Sequence, residues 1–339
     1  MMLGQETHCL STANQLTPGE LSCCVTAQTP QIVAEHPLRT PFVSQPVVDR
    51  GQALARAQLC AKELGARDLT PIRESMCSTF RAEGSVLRVG HFTSDPSTAQ
   101  RLATMLRSKE IRVPDVIATW QQDENGLGVI AYEDVRETDK VIEWREVGRI
   151  VRRLHTEVAP SDVPTGYPIA SPASLPWWNF GAMLTRLEAT ALVPTQQLSK
   201  LYEAAARGVE WSAIVETPPN VLTHGDVHPG NILMSEDGPV LIDWDLLSTA
   251  TSLWDHVPLR AWSTPPWQGS ADAYTAFAAG YGAVDWEEAS LDVVVEMRNL
   301  AATVMKLIAS ASTGVIDEEA ARRKEYWALP NMTARWTWG

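Results

Sequence analysis

The spacing of apolar positions divides the chain into two unlike halves. In 49–65, Ala53, Leu54, Ala57, Cys60, Ala61 and Leu64 fall on one helical face, and Gly65 marks the stop. Short apolar runs follow. Residues 80–82 and 85–89 flank Glu83-Gly84, a tight-hairpin signal, and 116–120 and 127–132 are joined through Asn125-Gly126. Between these pairs, 96–108 reads as a helix with Asp95 as N-cap and Pro96 at its first position. This half is a small, mostly antiparallel sheet with one inserted helix.

Beyond Val135 the period becomes helical. In 141–156, Val147, Ile150, Val151 and Leu154 share a face, and 181–190 and 195–213 continue the pattern after a Pro- and Trp-containing connection. A short strand at 221–223 leads into a polar loop. A hairpin of 232–234 and 240–242 then turns at Asp237-Gly238. The rest reads as helices near 250–263, 270–281, 287–312 and 316–329. The expected class is α+β, with lobes at 48–134 and 135–339. Residues 1–47 show neither period and are rich in Thr, Gln, Ser and Pro, so they are expected to form a partly disordered extension.

Composition narrows the choice of partners. The chain has 339 residues, 45% hydrophobic and 20% charged, which is ordinary globular usage. Its net charge of −13 disfavours general binding to nucleic acid or anionic membranes. No apolar run approaches the ~18 residues of a membrane span, and the N-terminus lacks the pattern of a secretory signal. The five cysteines form no CxxC pair, so neither a disulfide framework nor a zinc-thiolate site is expected, and a reducing cytoplasm is the default location. A monomer or homodimer is expected.

Chemistry concentrates in Thr223-His224-Gly225-Asp226-Val227-His228-Pro229-Gly230-Asn231 and in Leu241-Ile242-Asp243-Trp244-Asp245. Asp226 and Asn231 share one loop, and Asp243 follows the next hairpin. Two neighbouring strand ends can bring the three together. Their oxygen ligands suit Mg²⁺ rather than zinc. A carboxylate beside such a metal is what phosphoryl transfer requires. The H-x-D-x-H run also suggests a hydrolytic metal site. That reading needs more distal histidines than His155 and His256, and it leaves Asn231 and Asp243 unexplained.

At these residues the chain resembles the aminoglycoside phosphotransferase family, whose fold is protein-kinase-like. The pattern H-G-D-x-H-x-x-N followed by I-D-W-D carries the resemblance. It implies two lobes, a small antiparallel-sheet lobe and a larger, mainly helical one, with the active site between them. It implies Asp226 as catalytic base, Asn231 and Asp243 as Mg²⁺ ligands, and His224 bracing the loop, with His228 as a further supporting residue. Asp245 is either a second metal neighbour or a capping carboxylate. The resemblance extends to Arg88 on a strand, as the contact to the donor phosphates. It extends also to a hinge at Tyr132-Glu133-Asp134-Val135, where backbone at Glu133 and Val135 would hold the base. Leu154-His155 and Trp254-Asp255 match further family elements.

Some positions depart from the family's pattern. The strand residue is Arg88 rather than Lys, and helix 96–108 offers it no acidic partner, only the neutral Gln100. The nucleotide loop, 74–79, has no glycine, so the hydroxyls of Ser75, Ser78 and Thr79 are expected to serve the phosphates instead. The resemblance implies a kinase that uses ATP or GTP with Mg²⁺ on a small-molecule hydroxyl; the alternative is an inactive, kinase-like nucleotide-binding protein. Residues 135–339 carry 26 acidic against 16 basic groups. That excess, with Asp272, Asp285, Glu287, Glu288, Asp292 and Glu296 as candidate contacts, favours a cationic acceptor such as an aminoglycoside or amino-sugar.

Overall fold

In the computed structural model, residues 39–329 other than 268, together with 335–337, are described. The alternation of side chains along the strands decides what the first lobe does with its two faces. Strands β1 (Val43–Gln45), β2 (Leu69–Glu74), β3 (Ser78–Ala82), β4 (Ser85–Phe92), β5 (Val116–Trp120) and β6 (Gly128–Glu133) form one antiparallel sheet. Its order is β2-β3-β4-β6-β5, with β1 on the far end of β4. Phe80, Ala82, Leu87, Val89 and Val129 pack under helix α1 (Arg50–Glu63), which contributes Ala53, Ala57 and Cys60. The alternate residues Thr79, Val86 and Arg88 look the other way, into the interlobe cleft. Helix α2 (Ser97–Ser108) closes that side with Ala99, Leu102 and Leu106, and Asp95 Oδ1 accepts the amide of Ser97 at 2.8 Å.

The second lobe is helical around two two-stranded antiparallel sheets. Helix α3 (Trp144–Glu157) precedes α4 (Phe180–Ala189), α5 (Thr195–Arg207) and α6 (Trp211–Glu216). Strands β7 (Val221–Thr223), β8 (Ile232–Ser235), β9 (Gly238–Leu241) and β10 (Ser248–Ala250) pair as β7 with β10 and β8 with β9. Helices α7 (Val257–Trp262), α8 (Ala271–Tyr281), α9 (Glu288–Thr313) and α10 (Glu318–Ala328) complete it. Helix α9 is the spine: Leu291, Val294, Met297, Leu300, Val304 and Leu307 are buried among α4, α5, α6 and α7. Among the described residues no helix is long and apolar enough to cross a membrane.

Four elements differ from the sequence expectation. Order begins before Val48: Phe42 is buried, its ring stacks on Phe92 (5.0 Å) and Tyr167 (4.7 Å), and its amide donates to the Asp245 carbonyl at 2.8 Å. One aromatic side chain anchors a segment otherwise polar enough to read as a tail; residues 1–38 lie outside the described residues. Strand β2 was not expected because it is an exposed edge with Pro71 in it and no buried alternate face. The helix read over 195–213 breaks at Gly208, where a Cβ would collide with Met297 of α9. The helix read from 250 begins only at Val257, after β10 and a tight 3₁₀ turn over Ser252–Asp255.

Helices α3 and α8 touch backbone to backbone. A Cβ on Gly148 would overlap the Phe277 carbonyl, and one on Gly280 would overlap the Arg145 carbonyl. Alanine brings about 1 kcal/mol of helix propensity, but backbone overlap of this kind costs about 1–3 kcal/mol. Gly280→Ala should therefore lower the unfolding free energy by up to roughly 2 kcal/mol. The measurement is a urea midpoint at unchanged m-value; a stabilised variant would mean that the helices separate without cost.

Candidate active site

The loop that carries Asp226 hangs from the end of β7. Gly225 has φ +86°, and a Cβ there would strike the Leu246 carbonyl, so only glycine lets the chain turn. The amides of His224 and Gly225 donate to the two oxygens of Asp255, at 2.9 and 2.6 Å. His155 Nε2 reaches the same carboxylate at 2.9 Å, and its Nδ1 meets the Tyr281 hydroxyl at 2.8 Å. Asp255 is completely buried. Burial would raise its carboxyl, but the His155 hydrogen bond, neighbouring imidazole charge and the Gly225 amide hold it below the usual range. The L-H and W-D elements of the sequence thus meet beneath the loop.

His224 ties this loop to the second strand end. Its Nδ1 accepts the Asp226 amide at 3.3 Å, which leaves Nε2 to donate to the Ile242 carbonyl at 3.0 Å. The Ile242 amide returns a bond to the Asn231 carbonyl at 3.0 Å. Asp226 and Asn231 are thereby held beside the end of β9, where Asp243 follows. Asp243 is left-handed, at φ +66° and ψ +65°, a conformation unfavourable for a non-glycine residue. The Trp244 ring lies against His224 at 4.6 Å, and the Trp244 carbonyl accepts the Tyr167 hydroxyl at 3.1 Å.

Asp226 is partly buried and surrounded by donors. Arg298 Nη2 of α9 meets its Oδ1 at 2.6 Å, and His228 Nε2 lies 3.2 Å from its Oδ2. His228 Nδ1 accepts the Gly230 amide at 3.0 Å, which assigns the Nε2 proton to Asp226. Asn231 Nδ2 donates to the Asp226 carbonyl at 3.0 Å and to Oδ2 at 3.3 Å. Burial pushes the Asp226 carboxyl upward, but His228 and Arg298 together outweigh it and hold the group well below the carboxylate range. With its amide nitrogen so committed, Asn231 presents a buried Oδ1 that has no hydrogen-bond partner. An oxygen of this kind fits a hard cation such as Mg²⁺.

Between the lobes lies a cleft of about 270 Å³. Ser75, Arg88, Glu133 and Val135 line it, as do Asp243 and Asp245. Ser78 does not: it lies on the face of β3 shared with Phe80 and Ala82, so the alternation that brings Thr79 to the cleft turns Ser78 away. Gln100 is exposed on α2, which offers the cleft only Ala99, Leu102, Ala103 and Leu106. The acidic partner of Arg88 comes instead from beyond β9. Asp245 Oδ2 is 2.6 Å and Asp243 Oδ1 3.4 Å from Arg88 Nη2. Burial pushes the Asp245 carboxyl up to about 6, against the pull of Arg88. Asp245 is thus neither a helix cap nor idle.

Three of the six acidic residues expected to attract a cation are paired with arginines. Glu288 and Asp292 pair with Arg260 at 2.9 and 3.5 Å, and Glu296 pairs with Arg207 at 2.7 Å. Asp272, Asp285 and Glu287 are exposed. The residue that does reach Asp226 from these helices, Arg298, escaped the sequence reading. Its signal was an arginine in line with Leu291, Val294 and Ala301 on the buried stripe of α9.

A model of the phosphotransferase enzyme family matches residues 86–291, from β4 into α9. No curated protein resembles the sequence closely enough to count as its relative. Several solved structures share the fold. A spectinomycin phosphotransferase in complex with ADP and spectinomycin superposes with a TM-score of 0.58 at 15% identity, over 82% of this chain and 95% of that one. A choline/ethanolamine kinase family protein from Mesorhizobium loti gives 0.56 at 18%, over 83% and 95%. A macrolide 2′-phosphotransferase from Brachybacterium faecium gives 0.51 at 20%, over 82% and 99%.

Removing the buried charge at Asp255 should disturb everything tied to it. Asp255→Asn should cost about 3–5 kcal/mol of stability at neutral pH, the scale of breaking a buried pair. A carboxyl whose folded pKa lies below its unfolded value stabilises above the unfolded pKa, and that contribution is lost as pH falls through the folded pKa. The deficit should therefore stay constant from pH 7 to about 5 and shrink only below about 4. Urea unfolding across that range measures it, and a deficit that grows on acidification would contradict the assignment.

Proposed function

The chain belongs to the phosphotransferase enzyme family, and on that premise we propose that it transfers the γ-phosphoryl group of ATP or GTP to a hydroxyl of a small molecule. The observation that carries this reading is the convergence of Asp226, Asn231 and Asp243 at two strand ends, with the Asn231 Oδ1 buried and unpartnered. Leu102, Leu106, Val113, Leu233 and Ile242 give the nucleotide base apolar walls, and backbone at Glu133 and Val135 supplies its polar contacts. Arg88 serves the phosphates, with Ser75 and Thr79 beside it. Asn231 and Asp243 hold Mg²⁺, which when bound neutralises charge on the donor phosphates.

Asp226 receives the acceptor O–H as a hydrogen bond and aims its oxygen at the γ-phosphorus. The new P–O bond forms as the bond to the departing nucleoside diphosphate breaks, and the hydroxyl proton leaves through Asp226. Phosphoryl transfer passes through a loose transition state and depends on position more than on base strength, so a carboxylate held below its usual range suffices. The inactive-binder alternative rested on a missing partner for Arg88. Asp245 fills that role, which favours the enzyme. An amine-bearing acceptor would meet Glu288, Asp292 and Glu296 already paired with Arg260 and Arg207, which offset two of their three charges.

Asp226→Asn should lower turnover on an accepted hydroxyl compound by about 100-fold or more while nucleotide affinity stays unchanged. Asp243→Ala should abolish Mg²⁺-dependent nucleotide binding in calorimetric titration. Normal turnover in the first variant would remove Asp226 from the chemistry, and an unaltered titration in the second would move the metal elsewhere.

A further inference from the structure

Arg298 contacts Asp226 and has no part in the transfer reaction given above. It projects from the buried stripe of α9, with its side chain 20% exposed beside an Asp226 that is 22% exposed. Among the described residues, its recorded polar partner is Asp226. A guanidinium carries five N–H donors in a fixed planar fork, and Asp226 takes one of them. The pair is mostly buried, and Arg298 helps hold the Asp226 carboxylate ionised. The donors that Asp226 does not take remain available to a ligand.

We propose that Arg298 anchors an anionic group of the acceptor, a carboxylate or a phosphate, carried a few atoms from the hydroxyl that is phosphorylated. The proposal rests on the phosphotransferase reading and names its substrate class. A hydroxyl hydrogen-bonded to Asp226 lies within roughly 5 Å, two hydrogen-bond lengths, of the remaining Arg298 donors. A carboxylate at that distance meets the planar fork in its preferred two-pronged manner. A cationic acceptor would have to enter against Arg298 at the same range.

The test is a transfer assay of the full chain with Mg-ATP over matched acceptors. Each hydroxy acid is paired with its amide, each hydroxy phosphate with its dephosphorylated form, and amino alcohols and amino-sugars make a third arm. Wild type, Arg298→Gln and Arg298→Lys are compared, with thermal midpoints and nucleotide affinity as controls. The expected result is that anionic acceptors are preferred by wild type. Arg298→Gln also removes a partner of Asp226 and should lower kcat for every acceptor; the anionic acceptors should lose a further factor of about 100 in kcat/KM relative to their neutral partners, mainly through KM. Arg298→Lys should recover part of the loss. The two anionic arms tell carboxylate from phosphate. A best acceptor that is neutral or cationic overturns the proposal and leaves the enzyme reading intact. So does an Arg298→Gln that lowers kcat equally for every acceptor at unchanged KM, since Arg298 then serves the phosphoryl group. Nucleotide binding with no transfer to any acceptor overturns the enzyme reading, and the proposal with it. If Arg298→Gln does not fold, the wild-type pairs and Arg298→Lys decide.

Discussion

The Asp255 carboxylate has no access to water, and its oxygens are shared by the amides of His224 and Gly225 and by the His155 ring. Three separate parts of the second lobe meet there: the end of α3, the turn after β7 and the 3₁₀ turn before α7. A buried charge is tolerable only when its partners are fixed, so each of these parts constrains the others. The catalytic loop takes its position from that constraint. Gly225 turns over the Leu246 carbonyl, His224 reaches across to Ile242, and the two strand ends come together. The carboxylate of Asp226 is set by a second carboxylate that never meets a ligand.

How legible this was depended on whether a residue acts through its neighbours in sequence or across the fold. The loop from His224 to Asn231 and the Asp243 that follows could be read directly, because their spacing and the intervening hairpin leave few arrangements. His155 and Asp255 were recognisable as family elements, but nothing local shows that one accepts a hydrogen bond from the other, 100 residues away. Asp245 as partner of Arg88 spans 157 positions. The acidic partner was sought on α2, whose cleft face proves to be apolar. Strand β2 was missed because an edge strand buries too little to leave an alternating pattern, and β1 because one phenylalanine does its anchoring.

Arg88 and Arg298 each hold carboxylates of the candidate site. Arg88 pairs with Asp245 and Asp243, and Arg298 pairs with Asp226. The net charge of −13 describes the surface of the molecule and says little about this interior arrangement. An acidic lobe can present a locally neutral, or even cationic, acceptor pocket when arginines from its own helices hold its carboxylates.

The strength of Asp226 as a base follows from the same arrangement. A general base matched to neutral pH would be one that burial raises; here His228 and Arg298 outweigh burial and keep the carboxylate ionised. Such a group accepts a hydrogen bond well and a proton poorly. That combination suits a transition state in which the bond to the leaving group is largely broken before the new bond forms, because the hydroxyl proton is then lost late. The donors around Asp226 fix the direction of its oxygens. On the proposed reading they hold an acceptor in line, and basicity is what the carboxylate gives up to do so.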